Sequence, residues 1–256
     1  MNKILFQQFD DIKIEYFEEG KGYPLLFLHG APVSFRYYQN LLQKFSEKYR
    51  VFAPVLPGMG HSQSKGKETT FQTYCNMVQE FVLRKGISPV FIGHSLGGAV
   101  LSKVVSDNPV IASKLVLINS IGIPLDNFIL RIVKCWIGGG LKEHWTNCIR
   151  QKKGEVIPRD ILHMIFRRPL ELIRIFSITR RVNLTEPFKK IKTPTLLLWG
   201  ATDPFVPFEE GKKTNNLIPN SQLIVIPKAG HNWLVYNPEK CVELVKEFVD
   251  LQEAIS

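Results

Sequence analysis

The sequence predicts an α/β protein in which a mostly parallel β-sheet is flanked by helices and interrupted late in the chain by a helical insertion. Three observations carry this prediction. Short apolar runs of strand length alternate with stretches of helical period at both ends of the chain, the pattern of a sheet covered on both faces. The run Pro89-Val90-Phe91-Ile92 passes through Gly93-His94-Ser95-Leu96-Gly97 into a helical stretch, Ala99 to Asp107, so a G-x-S-x-G sequence sits at a strand–turn–helix junction. From Ile121 to Lys190 the strand pattern is replaced by basic amphipathic stretches.

The elements follow in order. Lys3 to Phe9 and Ile12 to Phe17 alternate as an antiparallel hairpin does, and Leu25 to Leu28 is a short buried strand. A helix follows with Phe35, Tyr38, Leu42 and Phe45 at near-helical spacing, then the strand Val51 to Ala53. After the Gly/Ser loop Gly58 to Gly66, a helix carries Phe71, Tyr74, Val78 and Phe81 on one face, with Thr69 or Thr70 placed to cap it. Leu115 to Ile118 precedes the insertion, and Thr195 to Leu198 and Leu223 to Ile226 resume the strands. Asn237-Pro238 opens a last helix with Val242, Val245 and Val249 inward. Inside the insertion, Ile129, Ile132, Val133 and Trp136 share one face up to Gly138-Gly139-Gly140. Two further helical runs, Ile157 to Phe166 and Leu170 to Ile178, are divided at Arg167-Arg168-Pro169, where proline breaks or restarts a helix. The division expected is therefore a core of residues 1–120 and 191–256 and a helical lid of residues 121–190.

At 256 residues and 45% hydrophobic content the chain can bury a substantial core. No apolar run reaches the roughly eighteen residues of a membrane span and no secretion signal is seen, so a soluble, cytoplasmic protein is expected. Cys75, Cys135, Cys148 and Cys241 are scattered with no C-x-x-C pair, which suggests neither a disulfide framework nor a metal site. The net charge of +10 is localised: residues 127–182 carry twelve Lys and Arg against four Asp and Glu. No nucleic-acid motif accompanies it, so nucleic acid is not an expected partner. The basic segment could instead attract an anionic head group, an acidic carrier or, weakly, an anionic membrane surface.

A serine hydroxyl is a poor nucleophile until a histidine takes its proton and a carboxylate orients that histidine. Asp203 follows the strand Thr195 to Leu198, and His231 follows the strand Leu223 to Ile226. Both therefore lie on the sheet edge reached by Ser95, where an α/β sheet binds its ligand. Their chain order, Ser then Asp then His, fits an elbow serine. Developing negative charge on a substrate oxygen needs N–H donors; Leu96, directly after the nucleophile, is one, and Ala31, in the loop after Leu25 to Leu28, is the other. His29, Gly30, His94 and Trp136 are candidate substrate contacts.

With these residues placed, the chain resembles the α/β-hydrolase fold, in its lidded esterase and lipase form, almost end to end. His29-Gly30-Ala31-Pro32 resembles the oxyanion segment of those enzymes, Pro57-Gly58-Met59-Gly60-His61-Ser62 their glycine loop, Gly93 to Gly98 their elbow, Asp203 their acid and Gly230-His231 their base. An acid after the preceding strand is the family's alternative, but Asn119 and Ser120 stand there. Haloalkane dehalogenases and epoxide hydrolases of this fold carry aspartate where Ser95 stands. The resemblance implies hydrolysis of a small-molecule acyl substrate, a carboxylic ester or thioester, through an acyl-enzyme and without cofactor or metal. The same triad also serves amide or C–C bond cleavage and perhydrolysis, and a slowly turning over binding protein could retain it. Phe128, Ile129, Trp136, Phe166 and Phe176 of the insertion are candidates to line an acyl pocket.

Overall fold

The computed structural model describes residues 4–9, 12–64, 69–134 and 159–250. Its frame is an eight-stranded sheet in the order β1-β2-β4-β3-β5-β6-β7-β8. The strands are β1 (Leu5–Phe9), β2 (Ile12–Glu19), β3 (Pro24–Leu28), β4 (Arg50–Pro54), β5 (Val90–His94), β6 (Lys114–Ile118), β7 (Thr195–Gly200) and β8 (Ser221–Ile226). The predicted hairpin is the antiparallel pair β1–β2, and β2 also runs antiparallel to β4; every other pairing is parallel. All residues of β5, β6 and β7 are buried, as strands covered on both faces must be, which is why they read as unbroken apolar runs.

From β3 the chain steps outward to β4 and then returns to the other side of β3 as β5. The loops after β3 and β5 therefore leave in opposite directions and open a crevice between adjacent strands. Ser95 and the His29–Pro32 segment stand at its two sides.

The helices cover the sheet in two layers. Helix α1 (Gln39–Ser46) packs against α9 (Trp233–Tyr236) and α10 (Pro238–Asp250), while α2 (Phe71–Lys85) packs on α3 (Leu96–Asp107). Thr70 caps α2 in a reciprocal capping box with Thr73, and Gly86 ends it in the left-handed conformation at φ +60°. Between β6 and β7 lie α4 (Phe128–Lys134), α5 (Arg159–Arg167), α6 (Pro169–Arg181) and α7 (Thr185–Lys190). Proline at the first position of α6 restarts the helix after Arg168, as expected. Helix α7 packs on both α3 and α8 (Phe208–Leu217), and Phe188 fills the space that a side chain at Gly122 would need. Trp136, Gly138 to Gly140, Cys135 and Cys148 lie outside the described residues. Burial pushes the Cys75 thiol up to about 12 and the Cys241 thiol higher still, so both are inert core residues. Among the described residues no helix is long and apolar enough to cross a membrane.

One expectation shifts. Helix α3 begins at Leu96 rather than Ala99. Gly97 and Gly98 are poor helix formers, but packing overrides propensity here. A Cβ on Gly97 would stand 2.2 Å from the Leu28 carbonyl oxygen, and one on Gly98 would stand 2.4 Å from Ser120 Oγ. Glycine lets the first turn of α3 reach the ends of β3 and β6.

Candidate active site

Ser95 occupies the sharp turn from β5 into α3, at φ 52° and ψ −119°, a conformation that non-glycine residues adopt only when their surroundings enforce it. The surroundings do so. Ser95 N–H donates to the Ile118 carbonyl at 3.1 Å, and its own carbonyl accepts from Ile121 N–H at 3.3 Å and from Ser120 Oγ at 3.4 Å. A Cβ on Gly93 would stand 2.5 Å from Gly98 Cα. The glycines thus allow strand and helix to close over one another while the end of β6 pins the serine.

Asp203 and His231 meet in the loops after β7 and β8. His231 Nδ1 lies 2.7 Å from Asp203 Oδ2. The other carboxylate oxygen, Oδ1, accepts from Phe205 N–H at 2.7 Å and Val206 N–H at 2.9 Å. Asn119 Nδ2 adds a fourth bond, to Oδ2 at 2.5 Å. The carboxylate is an acceptor in every bond, so Nδ1 of His231 is the donor. In the neutral ring Nε2 is then left as the proton acceptor. The imidazole packs against His94 at 4.8 Å and Phe205 at 5.2 Å between ring centroids. That places it beside the residue preceding Ser95.

Gly30 touches the serine directly: a Cβ there would stand 3.1 Å from Ser95 Cβ and 3.0 Å from His94 Nδ1. This places the His29–Pro32 segment over the elbow. Leu96, the first residue of α3, has no partner for its N–H within the helix.

His29 and His94, expected to contact substrate, have all four ring nitrogens bonded within the protein. His29 Nδ1 donates to the Gly30 carbonyl at 2.8 Å and Nε2 accepts from Leu56 N–H at 3.0 Å. This ties the loop after β3 to the chain leaving β4. Burial pushes its pKa down to about 4. His94 Nε2 donates to the His231 carbonyl at 2.9 Å, so Nδ1 accepts from the Tyr38 hydroxyl at 2.7 Å. Burial, then the neighbouring His231, hold His94 well below the usual imidazole range. Tyr38 Oη in turn accepts from Gly30 N–H at 3.2 Å. Trp136 lies outside the described residues, and Phe166 is 76% exposed. Phe128 is buried, 5.7 Å from Phe205 between centroids.

Three residues of the site escaped the sequence reading. Tyr38 appeared as one member of an apolar stripe, yet a buried tyrosine hydroxyl requires a partner. Asn119 registered only as an absent acid. Glu15, fully buried on β2, binds Arg36 through both oxygens and accepts from His61 N–H at 3.0 Å, while its own N–H donates to Ser62 Oγ at 3.0 Å. Alternation in β2 sets Glu15 on the face of exposed Lys13, opposite Ile12 and Ile14, so no local pattern marked it as a buried carboxylate that must be paired. Glu15 holds the glycine loop Pro57 to Ser62 in place.

The match to known proteins is decided by residues 25–244, which fit the alpha/beta hydrolase family. The chain belongs to this family. Similar to this alpha/beta hydrolase are the uncharacterized hydrolase YugF of Bacillus subtilis, 28% identical with 93% of each chain covered, and the pimeloyl-[acyl-carrier protein] methyl ester esterase of Pectobacterium atrosepticum, 26% identical over 90% of this chain and 96% of that one. Among solved structures, a thermophilic esterase from Thermogutta terrifontis superposes with a TM-score of 0.76 at 22% identity, covering 97% of this chain and 98% of the other. That likeness is one of fold.

Proposed function

We propose that this alpha/beta hydrolase is a serine esterase that cleaves a carboxylic ester, or a thioester, through an acyl-enzyme. Ser95 Oγ attacks the carbonyl carbon as His231 Nε2 takes its proton. Asp203 holds the Nδ1–H tautomer and stabilises the imidazolium, and the Ala31 and Leu96 N–H groups receive the oxyanion. Collapse expels the alcohol, which takes the proton from His231. Water, activated by the same nitrogen, then attacks the acyl-enzyme and releases the acid. Residues 121–190 act as the cap over this site.

The observation that carries the reading is the His231–Asp203 pair, seated on the sheet edge where Ser95 holds its positive φ. The methyl ester esterases among the relatives support an ester as the bond. The test is steady-state hydrolysis of p-nitrophenyl esters from acetate to palmitate, with wild type beside Ser95→Ala and His231→Ala. Activity lost in both variants, together with phosphonate labelling that depends on Ser95, is the expected result; labelling that survives Ser95→Ala overturns the assignment.

A further inference from the structure

Helix α5, Arg159–Arg167, is strongly amphipathic, but its apolar side is wider than the surface it covers. Ile161 and Met164 are buried, whereas Leu162, Ile165 and Phe166 are exposed. On α6 the same imbalance recurs: Ile175 and Thr179 face inward, while Leu170 and Ile173 are 74% and 66% exposed. The two helices pack together, and only Arg168 and Pro169 separate Phe166 from Leu170. An amphipathic helix whose function is only to roof a core turns its polar side outward. Here five large apolar side chains face water at one junction, the kind of patch that marks an interaction surface.

Positive charge accompanies them. Arg167 is exposed beside Phe166. Arg180 follows Ile173 by two helical turns and Arg181 follows Leu170 by three, so both exposed arginines continue the stripe of the apolar residues. Glu171, the one acid of α6, is taken by Arg174 and by Ser64 Oγ of the core, which leaves the stripe positive. Phe166 and Leu170, about three-quarters exposed, project into solvent. A folded partner would need a matching cavity for each, but the acyl chains of a bilayer accept them without one.

We propose that the outer face of α5 and α6 docks this protein onto an anionic lipid surface, with Phe166, Leu170 and Ile173 among the acyl chains and Arg167, Arg180 and Arg181 at the headgroup phosphates. None of these six residues belongs to the proposed triad or oxyanion segment, so the proposal stands independently of the bond that is cleaved. Two anchors join it to the core near the site: Asp160 Oδ2 accepts from Ser34 N–H at 2.8 Å and from the Ser34 hydroxyl, and Glu171 Oε2 accepts from Ser64 Oγ at 3.1 Å. Docking would thus hold the loops after β3 and β4 toward the lipid.

The test is flotation with vesicles of equimolar phosphatidylglycerol and phosphatidylcholine, and with phosphatidylcholine alone, at about 50 mM and about 500 mM salt. Binding to the anionic vesicles at low salt, weakened at high salt, is expected. Phe166→Ser with Leu170→Ser should lower it by roughly tenfold for each side chain, and Arg180→Ser with Arg181→Ser by roughly fivefold for each. Both double variants should keep the far-UV circular dichroism and urea unfolding midpoint of the wild type, which reports that they fold. In a Phe166→Trp variant, lipids with brominated chains should quench the added fluorescence. Absence of binding at low salt, binding that both double variants retain, or no added quenching overturns the proposal. So does a concentration-dependent dimer that Phe166→Ser/Leu170→Ser disperses without any vesicle binding, or capture by an acidic protein with no lipid binding.

Discussion

Asn119 Nδ2 lies 2.5 Å from Asp203 Oδ2, the same oxygen that receives Nδ1 of His231. The Asn119 side chain is matched at both ends, because its Oδ1 accepts from Trp233 Nε1 at 2.9 Å and from Gly200 N–H at 3.4 Å. Its own backbone sits at φ 44°, the left-handed region that asparagine tolerates better than most residues. The first prediction follows from that matching. Asn119→Ala removes a hydrogen bond to a charged group and leaves two buried N–H donors unpaired, so stability to urea should fall by about 3 kcal/mol. Loss of the orienting bond should lower kcat for a p-nitrophenyl ester by roughly ten- to a hundredfold with little change in KM. A variant with normal kcat would leave Asn119 a purely structural residue.

Tyr38 joins the two sides of the crevice: its hydroxyl accepts from Gly30 N–H in the loop after β3 and donates to His94, whose other nitrogen donates to the His231 carbonyl. Tyr38→Phe keeps the packed ring against Phe27 but strands a buried donor and a buried acceptor. The expected cost is about 2 to 4 kcal/mol in thermal or urea unfolding. Turnover should drop as well, because Gly30 fixes the segment that carries Ala31. Unchanged turnover at full stability would refute the link.

The fold was legible because the strands that position the site are buried on both faces, so each reads as an apolar run bounded by turn residues. Ser95, Asp203 and His231 share a feature visible in the sequence: each follows a strand directly, and a parallel sheet aligns those ends. Residues that act through the site were less visible. Tyr38 and Asn119 have partners 56 and 84 positions away, and no local spacing announces such pairs. Helix α3 starts three residues before the expected Ala99 because close packing holds Gly97 and Gly98, poor helix formers, in its first turn. The bracing bonds of His29 and His94 were likewise not visible in the sequence, because their partners Leu56, Tyr38 and His231 lie on other elements.

Glycine positions separate steric need from conformational need. At Gly97 an added Cβ would meet the Leu28 and His29 carbonyl oxygens at 2.2 Å and 2.6 Å. Both are backbone atoms that cannot rotate away. Gly97→Ala should therefore cost more than about 3 kcal/mol and displace the oxyanion segment, seen as loss of phosphonate labelling in whatever protein remains folded. At Gly86 nothing lies within 4 Å, but φ is +60°. Gly86→Ala should cost only about 1 kcal/mol, with labelling intact. Equal costs at the two sites would contradict the packing argument.

His29 and His94 make stability depend on pH in a definite direction. Each uses one ring nitrogen as an acceptor, from Leu56 N–H and from the Tyr38 hydroxyl, so protonation would set a donor against a donor inside the core. Burial lowers the His29 pKa from 6.5 to about 4 and that of His94 well below 6.5. Above the unfolded value both states are neutral and stability is level. As pH falls below about 6.5 the unfolded chain takes up protons that the folded chain refuses, and stability declines by up to about 1.4 kcal/mol per pH unit for each histidine. For His29 the decline ends near pH 4, after a loss of roughly 3 kcal/mol. Urea midpoints between pH 7 and pH 5, before most carboxylates titrate, isolate the effect. His29→Gln, whose amide oxygen can still accept from Leu56, should remove one proton's worth of the slope; a slope that stays the same would mean that His29 titrates normally in the folded protein.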